Sequence, residues 1–208
     1  MPLLDPLKKQ LEAWSDEAPS PDRQAALAPL ISWIRRRASE SMAADIIFVC
    51  THNSRRSHIS QLWAQAAAHH AGLSHVVTWS GGTEATAFNP RAVRAMRGVG
   101  FMLTDTGERR SSDNVLYKAS YGEGHTAQRL FSKVYSDPSN PQAGFAAVMV
   151  CDSADAACPV VSGADQRTRL PFVDPKRSDG TDEEAEIYTQ SCLEIGLTMA
   201  WLMRQASR

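Results

Sequence analysis

The sequence predicts an α/β protein: an open four-stranded parallel sheet with helices on both faces, carrying an N-terminal helical extension and a hairpin insertion. Three observations support this expectation. Short apolar runs alternate with stretches of helical periodicity, as expected of strands buried between crossover helices. The first such run, Ile46-Ile47-Phe48-Val49, leads straight into a polar loop and then a helical pattern with Ile59, Leu62, Trp63, Ala66 and Ala67. Only residues 112–144 break the alternation.

Each element has its own justification. Leu3, Leu4, Leu7, Leu11 and Trp14 recur at helical spacing. Ser20-Pro21-Asp22 reads as an N-cap, a first-turn proline and an acidic first turn for a second helix. That helix continues through Leu27, Leu30, Ile31 and Ile34 to Arg35-Arg36-Arg37, where cations suit the helix dipole. These 43 residues form the extension, and residues 44–208 the main domain. The Leu/Trp stripes of the extension are expected to be buried on that domain or, in a homodimer, on a second subunit. After the first strand and helix, His75–Ser80 reads as a second strand closed by Gly81-Gly82, and Asn89-Pro90 as the start of a short helix. Val115–Tyr121 and Arg129–Tyr135 flank Gly122-Glu123-Gly124 as a hairpin. Its Tyr117, Tyr121, His125, Arg129 and Tyr135 are candidates to cover a pocket. Phe145–Val150 is the third strand, and Leu170–Val173 the fourth. Thr181-Asp182-Glu183-Glu184 resembles a capping box opening a long final helix, in which Tyr188 and Cys192 read as core.

Composition narrows the function. Lys and Arg number 22 against 23 Asp and Glu, a net charge of −1, so a nucleic-acid partner is not expected. No apolar run approaches about 18 residues, so no membrane span is expected. The first 20 residues lack a basic-then-apolar leader, which favours a cytoplasmic location. Four cysteines are too few for a disulfide scaffold, leaving structural, metal-binding or reactive roles.

The loop Cys50-Thr51-His52-Asn53-Ser54-Arg55-Arg56-Ser57 is the strongest candidate site. Ligands of open parallel sheets bind at the carboxyl ends of strands. Backbone N–H groups entering a helix, together with the helix dipole, cradle an oxyanion. Arg56 offers a planar fork to two of its oxygens. The same field suits a nucleophilic thiolate at Cys50, with Ser57 in reach as a donor.

This loop resembles that of the low-molecular-weight phosphotyrosine phosphatases and the thioredoxin-coupled arsenate reductases, which share a fold. The stretch WSGGTEATAFNPRAVRAMRGVGF (79–101) and Asp174-Pro175 extend the resemblance. It implies that Cys50 is the nucleophile, that Arg56 binds the oxyanion, that Asn53 and Ser80 brace the loop, and that Asp174 transfers protons. Thr51, His52, Ser54, Arg55 and Ser57 complete the oxyanion cradle. His52 stands where the family has Gly, and Arg55 where it often has Cys. Gln61 replaces a Glu that serves a cation in some reductases, so no cation site is expected.

Two further cysteines, in CDSADAACPVV (151–161), resemble the redox segment of the arsenate reductases. The resemblance implies a relay in which Cys151 attacks Cys50 and Cys158 then attacks Cys151, with thioredoxin or a similar dithiol as reductant. The polar, alanine-rich run between them is expected to be a mobile loop. Their spacing fits zinc poorly, and no metal or cofactor is expected. Arsenate reduction is the leading expectation. The alternatives are a phosphotyrosine phosphatase, which needs only Cys50, Arg56 and Asp174, and a non-catalytic oxyanion or redox sensor.

Overall fold

The computed structural model describes every residue except Met1, His125, Thr126 and Pro159. In chain order the elements are α1 (Asp5–Ala13), α2 (Pro21–Ser39), β1 (Ala44–Cys50), α3 (Arg56–His70), β2 (Val76–Gly82), α4 (Pro90–Gly98) and β3 (Met102–Arg109). They continue as β4 (Val115–Ser120), β5 (Gln128–Leu130), β6 (Phe145–Met149), α5 (Asp152–Ala157), β7 (Ala164–Arg169), a 3₁₀ turn (Pro175–Ser178) and α6 (Glu184–Ala206).

Four strands form a parallel sheet in the order β2-β1-β6-β7. β1 and β6 lie at its centre, which is why their residues are almost all apolar and buried. From β1 the chain crosses through α3 to β2 on one side; from β6 it crosses through α5 to β7 on the other. Right-handed crossovers in opposite directions put α3 and α5 on opposite faces. The gap between the ends of β1 and β6 is therefore the topological switch point, where such sheets bind ligands.

The N-terminal helices join the same core as the sheet. Trp14 meets Trp63 of α3 at 5.2 Å between ring centroids. Gly196 of α6 makes room for both, since a Cβ there would lie 2.8 Å from either indole. The Leu/Trp stripe of α1 is thus covered by this chain's own α3 and α6.

Three features differ from expectation. The fourth strand is Ala164–Arg169, not Leu170–Val173. As an edge strand half open to solvent it tolerates the polar sequence ADQRTR, whereas Leu170 and Phe172 run on past the sheet and bury their side chains. The insertion is part of a three-stranded antiparallel sheet, β3-β4-β5, whose β3 is largely exposed and interrupted by a bulge, so it shows no apolar alternation. The final helix starts at Glu184 without a side-chain cap. The Glu184 carboxylate instead accepts the Gly180 N–H at 2.8 Å and pairs with Arg91 and Arg94.

Candidate active site at the switch point

Cys50 is the last residue of β1 and Arg56 the first of α3, so strand and helix fix both ends of the loop. Asn53 adopts φ 44°, a left-handed conformation that Asn tolerates better than most residues. Its amide ties the loop on two sides: Oδ1 accepts the Lys133 N–H at 3.0 Å and Nδ2 donates to Ser57 Oγ at 2.8 Å. Ser54 Oγ donates to Ala87 O at 2.7 Å, and Ser132 Oγ to His52 O at 2.8 Å. Gly82 stands beside Cys50 in register. A Cβ there would come within 2.6 Å of Thr51 O and 2.7 Å of Asn53 N, so only glycine lets the loop lie this close.

Ser57 Oγ lies 3.1 Å from Cys50 Sγ. Because that hydroxyl already accepts from Asn53, its own proton is free for the sulfur. Among the described residues, the backbone N–H groups of His52 through Arg56 find no acceptor. A nest of N–H groups over a buried sulfur is an oxyanion cradle. Arg56 Nη2 donates to Asp174 Oδ2 at 2.7 Å and Nη1 to Phe172 O at 3.0 Å. These bonds hold the Asp174 carboxyl beside the loop, and its other oxygen caps the 3₁₀ turn through the Lys176 N–H at 3.0 Å.

The second cysteine sits next door. Cys151 follows β6, the neighbour of β1, and Thr51 Oγ1 is 3.5 Å from its sulfur. Cys151 is buried and caps α5 by accepting the Ala154 N–H at 3.4 Å. Cys158 ends that helix, half-buried; all four cysteines are free thiols. The run between Cys151 and Cys158 is therefore helical rather than a loop. Asp152 pairs with Arg169, and Asp155 with Arg167, stitching α5 to β7.

The other expected residues are placed less directly. The side chain of Ser80 is 3.1 Å from His58 Nδ1, so it braces α3 rather than the loop itself. Arg55 is turned to α6, donating to Tyr188 OH at 2.7 Å with Asp179 at 3.4 Å. His52 is half-exposed at the rim, 3.8 Å from Glu84 Oε2. In the insertion, Tyr117 packs on Phe88, Arg129 pairs with Glu108, and His125 lies outside the described residues. What reaches the loop from this region is Ser132 and Lys133, which no motif singles out. His58 is also new: fully buried, packed 4.0 Å from Phe88, with desolvation pushing its pKa down to about 3, so it is a neutral strut. Burial pushes the Cys192 thiol up to about 12, and it accepts from Trp63 Nε1 at 3.4 Å within the core.

Comparison with known proteins fits this geometry. Residues 45–119 match the family model described as low molecular weight phosphotyrosine protein phosphatase. An arsenate reductase of Shouchella clausii is 30% identical over 139 residues, covering 67% of this chain and 79% of that protein. The chain belongs to the low-molecular-weight phosphatase and arsenate reductase family. An arsenate reductase of Bacillus licheniformis is 28% identical over 145 residues, 70% of this chain and 84% of the relative. Among solved structures, a low molecular weight protein tyrosine phosphatase from T. tengcongensis aligns with TM-score 0.49 and 15% identity, over 78% of this chain and 97% of that one. The matched family model spans the Cys50–Ser57 loop; the first 43 residues lie ahead of it, and Cys151, Cys158 and Asp174 lie beyond its end.

Proposed function

We propose that this protein reduces arsenate to arsenite through Cys50 and an intramolecular relay of Cys151 and Cys158. The observation that carries the reading is the pairing of two thiols on adjacent strand ends, Cys50 in the oxyanion loop and Cys151 within reach of Thr51 Oγ1 at 3.5 Å. A phosphatase needs the first thiol only.

In this reading the loop N–H groups and Arg56 hold arsenate over Cys50. The Cys50 thiolate forms a bond to arsenic and one arsenate oxygen leaves as water, its proton supplied by Asp174. The Cys151 thiolate then attacks Cys50 Sγ. The sulfur–arsenic bond breaks with its electron pair on arsenic, so As(V) becomes As(III), and arsenite leaves a Cys50–Cys151 disulfide. Cys158 attacks Cys151, freeing Cys50 and giving a Cys151–Cys158 disulfide, which an external dithiol of the thioredoxin type reduces.

The last transfer requires motion. Seven residues of α-helical rise separate the Cys151 and Cys158 Cα atoms by about 10 Å. A disulfide needs about 4.4–6.8 Å. α5 must therefore unwind for the relay to finish. At six residues it is short enough for that to be cheap.

The deciding assay is arsenate-dependent NADPH oxidation with thioredoxin and its reductase, followed by mass spectrometry of the disulfide after one turnover. A Cys151–Cys158 linkage is expected. Full activity in Cys151→Ser, or efficient phosphotyrosyl-peptide hydrolysis with no arsenate turnover, would replace this reading with the phosphatase one.

A further inference from the structure

A cavity of about 690 Å³ lies away from Cys50, between the outer edge of β2 and the segment carrying β5. That size falls in the range that holds small organic ligands. Two buried polar groups in its lining are left short of partners.

The first is Lys133. Its side chain is only 6% exposed, yet among the described residues no carboxylate lies within ion-pair distance. Among the described residues its ammonium hydrogen-bonds only to Ser139 Oγ, at 3.2 Å, and Phe131 lies beneath it with the ring centroid 5.0 Å away. Arg110 stands over the same ring at 4.5 Å, so two cations flank one aromatic in the cavity wall. The nearest acid to act on Lys133 is Asp137, whose carboxylate is engaged by Ser139. Burial pulls the lysine pKa down to about 8, with Asp137 opposing it from behind Ser139 and Arg110 adding to it, so the one acid that acts on this cation does so at a remove. Buried charges are normally paired directly, so this one, with its acid held off by Ser139 and a second cation beside it, suits an anion in the cavity.

The second is Gln61. Its Nε2 donates to Thr78 O at 3.2 Å and Gln128 Oε1 at 3.3 Å, which fixes the amide orientation. Its Oε1 is then buried without a donor. The edge of β2 is itself closed, because Gln65 accepts the Thr78 N–H at 2.9 Å and donates to Val76 O at 3.2 Å. A peptide strand has no unpaired backbone to dock on there, which removes strand addition as the occupant.

We propose that this cleft binds a small organic phosphate, the phosphate held between Lys133 and Arg110. Two sources share that chemistry, a nucleotide and a sugar phosphate. The proposal is independent of arsenate chemistry at Cys50.

Isothermal titration of the full chain with AMP, and separately with glucose 6-phosphate, tests it. At least one probe is expected to bind with 1:1 stoichiometry, AMP pointing to a nucleotide and glucose 6-phosphate to a sugar phosphate. Affinity is expected to fall at least tenfold in Arg110→Ala, an exposed position that leaves the core intact, and in Lys133→Met. It is expected to persist in Arg56→Ala, which disables the Cys50 loop. No binding of either probe at millimolar concentration, binding undiminished in both cleft variants, or binding lost in Arg56→Ala would overturn the proposal.

Discussion

The Cys50 loop and the Cys151–Cys158 helix leave neighbouring strands at the same edge of the sheet, yet they are built in opposite ways. The loop is over-determined: Asn53 and Ser57 are fully buried, a left-handed residue is held by two side-chain hydrogen bonds, and Gly82 lets the backbones touch. The helix is a single short segment, mostly open to solvent, fastened by ion pairs at its surface. The difference is what a relay needs. Electrostatic stabilisation of an oxyanion works through preorganised donors, whereas moving a disulfide over about 10 Å of helical rise requires a part that can come undone.

The contrast breaks most sharply at the sulfurs. Cys50→Ser is expected to remove arsenate turnover by at least about 10⁴-fold, since no adduct forms. Cys158→Ser should release one equivalent of arsenite and then stop. Rapid-quench measurement of arsenite over the first turnover separates the two. Equal burst amplitudes in both variants would mean that the thiols do not act in sequence.

Stability should separate the same two regions. Asn53→Ala removes both ties of the loop, leaves the Lys133 N–H buried without an acceptor, and places alanine at positive φ. A loss of about 3 kcal/mol in urea unfolding is expected. Asp152→Asn in α5 touches only an exposed ion pair and should change stability by less than about 1 kcal/mol. Similar losses in the two variants would erase the distinction.

Acid should act on the loop side as well. His58 titrates near 6.5 in the unfolded chain but near 3 when folded. Between those values the unfolded chain binds more protons, so stability is full above pH 6.5 and falls as pH drops towards 3. From pH 7 to 4.5 the contribution is about 2 kcal/mol. Urea midpoints of the wild type and His58→Gln at the two pH values give the comparison. The wild type should lose more than the variant; parallel losses would show that the ring is not the group being protonated.

The rigid half is the more legible from residues alone. A continuous apolar strand ending in Cys50-Thr51-His52-Asn53-Ser54-Arg55-Arg56-Ser57 states both the burial and the chemistry, because central strands of parallel sheets have no solvent face to encode. β3 and β7 are hard to see in the sequence for the converse reason: exposed ribbons and edge strands are held by backbone pairing, which leaves no apolar alternation. DSADAA is too short to show a helical period, so in sequence α5 looks like a mobile loop. Ser132, Lys133 and His58 reach the site only through tertiary contacts, and Tyr188 reads as a core residue until Arg55 and Asp179 are placed against its hydroxyl.

The smallest effect tests the movable half directly. Arg167 holds the end of α5 through three groups: Nη2 reaches the Asp155 backbone oxygen at 2.9 Å and its carboxylate, and Nε reaches Cys158 O at 3.2 Å. If α5 opens before Cys158 can attack Cys151, removing these bonds lowers the cost of opening and leaves the chemistry at Cys50 untouched. A half-exposed ion pair is worth up to about 1 kcal/mol, so Arg167→Met should speed formation of the Cys151–Cys158 disulfide about three- to fivefold. Stopped-flow measurement of the second disulfide after a single arsenate addition gives that rate, with arsenite release as the internal reference for the first step. A slower second step in Arg167→Met would mean that the arginine guides Cys158 to its target. In that case order in α5, rather than its loss, would drive the transfer.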